Sequence, residues 1–495
     1  MRSEIIDLPS PIETEPTVQD TESLHGELDK PDLIEQRQDA FGDEANAEIK
    51  YKVLKWWQGG LLMVAETISL GILSLPAAIA GIGLVPGLII PIGLGLLSTY
   101  TGYVIGQFKW RYPHISSMAD AGEVLMGPFG RELFETGQLL FLIFLMASHI
   151  LTFTVALNSI TGHGTCSIVF GVVGLILSLI LSLPRTLEKM SWLSLVSFIS
   201  IFTAVMVTMI ALGIQNDGAA VKPVVEANLV TGIMSACNIA FSYVSHNTFF
   251  TFMAELKDPK DFPKALALLQ SIDMTLYIVA AVVIYRFTGA DVASPALGSA
   301  GLLISRIAYG IALPTKIVIA GVINGHVAAK SLYVRIFAGT DRMHKRDWVS
   351  MGSWVGIAFG LWVIAWVIAE AIPVFNNLLS LITALFGSWF TFGFTGMFWL
   401  HMNKGLWFSS PKKIMLTLLN TFAIGVGITL CVLGLYASGS AIHNNPGSTS
   451  FSCVFLLYSI YGTCISRIPG DNETFPRVSI FCIPPCTLTL NPKFF

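Results

Sequence analysis

The sequence predicts an all-α integral membrane protein with eleven transmembrane helices, and three observations carry that fold class. Of 495 residues, 53% are hydrophobic and 12% charged, against about 25% charged in a typical soluble domain. Apolar runs long enough to cross a bilayer, which takes about 20 residues, recur from about residue 59 to residue 436. The basic residues also alternate between connections. One set, beginning with Lys50, Lys52 and Lys55 and ending with Lys404, Lys412 and Lys413, holds 18 Lys and Arg. The alternate connections hold Lys222 and little else, with Arg286 and Arg306 set back inside helix ends. Lys and Arg mark cytoplasmic connections, so the N-terminus is expected in the cytoplasm and the C-terminus, after an odd number of spans, outside or in a lumen. One missed helix would scramble the alternation.

Taken in order, residues 1–57 form an acidic tail with 14 of the 32 Asp and Glu but six Lys and Arg. Such a stretch cannot bury enough apolar surface to offset its ordering entropy, so a disordered cytoplasmic tail is expected. It has no apolar core beside a basic flank and is not a signal peptide. The eleven-helix domain is expected over 58–436, with spans at 59–80, 84–108, 133–158, 168–184, 188–214, 229–252, 264–288, 304–336, 350–372, 374–400 and 412–436. These runs are continuously apolar and longer than the roughly ten alternating residues of a barrel strand. The fourth is short, and the eighth is long enough to tilt or to extend beyond the bilayer. Between the second and third, SSMADAGEVLMG reads as an interfacial cytoplasmic helix. Residues 437–495 form a non-cytoplasmic, atypical tail carrying Cys453, Cys464, Cys482, Cys486 and the sequon Asn472-Glu473-Thr474.

Two places depart from plain apolar helix. The first is Glu66-Thr67-Ile68-Ser69-Leu70-Gly71-Ile72-Leu73-Ser74-Leu75-Pro76. Gly71 loosens the helix and Pro76 removes a backbone donor, while Thr67, Ser69 and Ser74 can bond the freed groups. Irregular backbone at membrane depth is tolerated where it is buried in protein or lines a wet cavity; a simple packed kink is the alternative. Glu66 is a costly carboxyl within a span, which usually faces a cavity or a partner. Its alternatives are a salt bridge to a residue such as Lys316 or a neutral structural carboxyl. The second place is Phe241-Ser242-Tyr243-Val244-Ser245-His246-Asn247-Thr248 in the sixth span. His246 can carry a proton or contact a carboxylate, or make an interhelical hydrogen bond. No glycine or proline marks a break there. With spans 1–5 and 6–10 taken as halves, the interruptions fall in the first helix of each, which is the best sequence pointer to a transporter site. That symmetry rests on span order, because no convincing sequence repeat accompanies it.

His149, Asp273, Lys316, Asn324, His326 and Glu370 are further intramembrane polar residues, read mainly as structural. GxxxxGK[ST], GxSxG and HExxH are absent, so neither a Walker-type pump nor an enzyme is indicated. No cofactor or metal site is expected. A net charge of −3, without a basic stripe interleaved with aromatics, gives no sign of nucleic-acid binding.

Three stretches carry a resemblance: DAFGDEANAEIKYKVLKWWQGG leading into AETISLGILSLPAAIAGIG, then AFSYVSHNTFFTFMAELKDPKDFPKAL, then GVINGHVAAKSLYVRIF. Over about residues 40–436 the sequence resembles the amino acid/auxin permease family, and within it the fungal neutral amino-acid permeases. The resemblance implies the five-plus-five inverted-repeat transporter fold with discontinuous first and sixth helices. It also implies symport of amino acids with H⁺ or Na⁺. By position it implies substrate binding at Thr67, Ser69, Gly71, Ser74, Ser245 and His246, and a gating or structural role for Glu255 at the cytoplasmic end of the sixth span. Sodium-coupled relatives place an Asn six residues before the glycine matching Gly71, where this chain has Ala65; that departure favours protons, with Glu66 and His246 as candidate coupling residues. The expectation is a proton-coupled importer of neutral amino acids working by alternating access, in the plasma membrane rather than the vacuolar one. The alternatives are a vacuolar amino-acid transporter and an amino-acid-sensing receptor on a transporter scaffold. The expected partners are the amino acid substrate, the lipid bilayer, and trafficking or ubiquitination machinery on the N-terminal tail.

Overall fold

The computed structural model describes residues 52, 54–184, 190–215, 218–337 and 347–444. The acidic tail up to residue 51, the sequon and the four tail cysteines lie outside the described residues. The described residues form helices without strands, apart from an isolated parallel bridge between Leu54 and Leu256.

The first interruption divides one span into α1 (Trp56–Thr67) and α2 (Gly71–Ile82), which meet at 57°. Helix α3 (Leu84–Arg111) follows, then the short α4 (Met118–Met126) at the expected amphipathic connection. Its start is capped twice. The Asp120 amide donates to Ser117 Oγ at 3.2 Å, and the Asp120 carboxylate accepts from the backbone amides of Ser116 and Ser117 at 3.0 Å each. This reciprocal arrangement satisfies donors that a helix N-terminus otherwise leaves free.

Helices α5 (Pro128–Thr161), α6 (Ser167–Ser182) and α7 (Met190–Gln215) come next. The second interruption separates α8 (Leu229–Phe241) from α9 (Phe249–Glu255), with a 3₁₀ turn at His246–Thr248 between them. Helix α10 (Phe262–Thr288) is continuous. Helices α11 (Leu302–Ala312) and α12 (Ala320–Phe337) form one span through a π-helical stretch at Leu313–Ile319. The chain closes with α13 (Trp348–Ala371), α14 (Phe375–Ile382), α15 (Phe394–Met402) and α16 (Pro411–Asn444). Two further π-helical stretches, Thr383–Gly387 and Trp389–Gly393, join α14 to α15.

Among the described residues, eight helices are long and apolar enough to cross a membrane, or nine with α1 and α2 counted as one bent span. Two expected spans fall outside that number for a visible reason. Helix α6 has 16 residues, and the sixth run is split into 13-residue and seven-residue pieces. The last expected span ends at residue 436, whereas α16 runs to Asn444.

Helix α1 packs on α7 and α10, and α2 packs on α8 and α10, so both interruptions lie inside the bundle rather than at its lipid face. Beneath them, the segment before α1 is stitched to the end of α9. The Leu54 amide donates to Glu255 O at 3.1 Å, and the Lys257 amide donates to Leu54 O at 2.9 Å.

Candidate functional site

Helix α1 ends because the chain leaves helical geometry at Ile68, with φ −71° and ψ 86°. Downstream, Pro76 lies inside α2 and withholds one helical donor. Ser74 donates its hydroxyl to Gly71 O at 2.9 Å. Gly71 is glycine for a steric reason: a Cβ there would lie 2.7 Å from Ser242 Cα. Ser242 follows the last residue of α8, so the two interruptions touch through backbone. Gly387, in a π-helical stretch, makes a similar approach to the same region; its Cβ would lie 2.6 Å from Val244 Cγ2.

A helix end leaves its last four carbonyls without intrahelical partners. Two of those of α1 are met by side chains from elsewhere. Lys316 Nζ donates to Ala65 O at 3.2 Å, and the Tyr277 hydroxyl donates to Thr67 O at 3.2 Å. Lys316 comes from the π-helical stretch between α11 and α12 and is 2% exposed. Its charge acts on those of Glu66 and Asp273. Helix α10 presents Asp273 and Tyr277 one turn apart on the same face, the usual i,i+4 relation.

Between the interruptions lies a cavity of about 360 Å³, within the range of small-molecule sites. Glu66, Thr67, Ser69, Ser245, Glu255 and Lys316 contribute to its lining. The Thr67 and Ser245 hydroxyls are buried with no hydrogen-bond partner among the described residues. Apolar walls come from Leu62, Phe141, Leu142, Leu145, Phe241 and Val244.

The structure thus gathers Glu66, Thr67, Ser69, Ser245 and Glu255 around one space. It sets three expected site residues back from the lining. Gly71 and Ser74 are buried under the break, and Ser74 spends its hydroxyl on Gly71 O. His246 is fully buried and turned toward α3, with Nε2 3.0 Å from both Ser98 O and Thr101 Oγ1. Glu66, expected to face a cavity or a partner, opens onto this cavity.

Sequence reasoning assigned Lys316 and Asp273 to structure; the geometry brings both to the break. Their signal was the rarity of charge within a span combined with the i,i+4 pairing of Asp273 and Tyr277. Among the described residues, no cluster of His, Cys, Asp and Glu could hold a metal ion.

The sequence family described as "Transmembrane amino acid transporter protein" matches residues 52–439, which includes both interruptions and the cavity between them. The chain belongs to that family. The transporter is 38% identical over 400 residues to "N amino acid transport system protein" of Neurospora crassa, covering 79% of this chain and 85% of that one. It is 30% identical over 424 residues to a "Transmembrane transporter" of Gibberella moniliformis, covering 83% and 88%. It is 27% identical over 256 residues to "Amino acid transporter AVT1H" of Arabidopsis thaliana, covering 48% and 55%. These relatives are transporters, not enzymes, and an amino acid is the substrate class the family carries.

Proposed function

We propose that this protein is a proton-coupled symporter that imports neutral amino acids into the cytoplasm by alternating access, through eleven spans arranged as five-plus-five inverted repeats. The observation that carries the reading is the cavity between two broken helices, with the unpaired hydroxyls of Thr67 and Ser245 beside it. Counting α6 and the interrupted pair α8 and α9 as spans brings the number to eleven. With the Lys and Arg alternation, this count supports an N-terminus in the cytoplasm and a C-terminus outside or in a lumen.

The first backbone amides of α2, ahead of Leu73, whose amide bonds Leu70 O, and the positive end of its helix dipole suit an amino acid's carboxylate. The carbonyl ends of α1 and α8 suit its ammonium. The apolar walls suit a neutral side chain. Ala65 has no side-chain oxygen, and its carbonyl accepts from Lys316, which favours protons over sodium ions. Glu66, open to the cavity, and Asp273, behind Lys316, are the acids placed to exchange a proton. His246 instead ties the second break to α3, and Glu255 closes the cytoplasmic end of the cavity.

Uptake into proteoliposomes, with and without an imposed pH gradient, tests the reading. A proton gradient with the outside acidic should drive accumulation, and competition by twenty unlabelled amino acids should favour neutral ones. Binding without flux would instead identify an amino-acid sensor. We place the protein in the plasma membrane; localisation to the vacuolar membrane, with export from that compartment, is the competing result.

A further inference from the structure

Lys316 stands between two acids that differ in one respect. Glu66 opens onto the cavity, where water can solvate its charge. Asp273 is 0% exposed, is absent from the cavity lining, and has no hydrogen-bond partner at either oxygen among the described residues. Lys316 and Glu66 together are neutral. A charged Asp273 would therefore be a second carboxylate, enclosed, without donors, sharing one ammonium with Glu66. Burying such a group is costly unless it is neutralised. Among the described residues, no second cation acts on it. Tyr277 from its own helix and Tyr243 from the second break face it. Glu66 from α1 and His149 from α5 face Lys316, and Glu255 lies beyond Glu66.

Resting on the proton-coupled reading above, we propose that Asp273 holds the coupling proton in this state, and that Lys316 is a fixed internal cation whose bond to Ala65 O depends on that proton. With Asp273 a neutral carboxylic acid, the ammonium is free to hold the carbonyl end of α1, which shapes the break for substrate. Loss of the proton to water leaves a carboxylate that draws Lys316 toward α10 and away from Ala65 O. The first break then relaxes and substrate leaves. One proton is bound and released per cycle, as H⁺ from water to the Asp273 carboxyl and back, and no other bond changes. Of the two acids, Glu66 serves as the cavity-side counter-charge of Lys316, and Asp273 is the one that carries the coupling proton.

The test compares wild type, Asp273→Asn and Glu66→Gln in proteoliposomes, read by labelled substrate and by a pH-sensitive dye. One proton per substrate across one pH unit can support up to about tenfold accumulation. Asp273→Asn copies the protonated acid in shape and charge. It should fold, exchange substrate in counterflow, show no substrate-driven proton uptake, and lose accumulation and pH dependence. Glu66→Gln should exchange more slowly while still moving protons with substrate. Gradient-driven accumulation by Asp273→Asn overturns the proposal, as does failure of that isostere to fold. So does loss of coupling in Glu66→Gln alone. Wild type that ignores the gradient removes the proton-coupled reading itself, and that result is separable because it appears before any variant is compared.

Discussion

At Gly71, a single hydrogen in place of a side chain lets two interrupted helices share a point of backbone contact. Valine there adds a branched Cβ that must displace Ser242 Cα, whose clearance to an ideal Cβ is 2.7 Å. Gly71→Val is expected to abolish uptake while protein at the membrane falls little, measured by transport and surface labelling on the same cells. Normal uptake would mean that contact between the breaks is dispensable. Residue composition made Thr67, Ser69 and Ser245 legible as residues that could line a cavity at the break, and they do line one, because polar side chains beside a loosened backbone have few other uses at that depth. It did not disclose that Ser74 and His246 turn inward. Side-chain direction around a break depends on backbone angles that no periodic pattern supplies. A salt bridge of Lys316 to Glu66 was one alternative; among the described residues Lys316 instead bonds the Ala65 carbonyl, a backbone acceptor that side-chain content does not reveal.

Helices with unbroken apolar runs were the easiest elements to anticipate, and α3, α7, α10 and α13 begin and end within a few residues of the expected spans. The split between α8 and α9 was not readable from content, because neither Gly nor Pro lies there. It is held open by tertiary contacts, among them His246 against α3 and Gly71 against Ser242. The amphipathic connection was anticipated as a helix, and its cap gives it a measurable signature. Burial by itself would raise the Asp120 carboxyl, but the donors of Ser116 and Ser117 outweigh it and hold that group below the usual carboxylate value. A depressed acid stabilises the fold above its unfolded value of about 3.9, and that contribution is lost as pH falls through the folded value. Asp120→Ala should therefore lower stability by about 0.5–2 kcal/mol at neutral pH, seen as an earlier thermal transition in detergent. The gap from wild type should close only in strong acid. A gap that narrows between pH 6 and 8 would assign the loss to something other than this carboxylate.

For the whole molecule, the described helices are complete by Asn444, so a chain ended after Cys453 is expected to transport at the wild-type rate. Loss of uptake in that shortened protein would make the tail part of the transporter. An enzyme-sensitive glycan on Asn472 is expected from the proposed orientation, whereas labelling of the tail from the cytoplasm would reverse it.

The wide turn between α11 and α12 carries one more consequence, and it concerns chain length rather than residue type. In a π-helical stretch the backbone bonds reach to i+5 instead of i+4, so Leu313–Ile319 holds slack that a regular helix would not. Removing one residue from 313–315 would restore an ordinary register and swing Lys316 by about 100° around the helix. The amine would leave Ala65 although every side chain of the site remained in the sequence. Such a deletion should yield an inserted but inactive protein, distinguishable from wild type by transport and not by membrane abundance. Restored activity on re-inserting any single alanine in that turn would show that the ammonium is aimed by spacing. In descent, then, a transporter of this kind can lose its internal cation through a three-nucleotide gap that spares every codon for a charged residue.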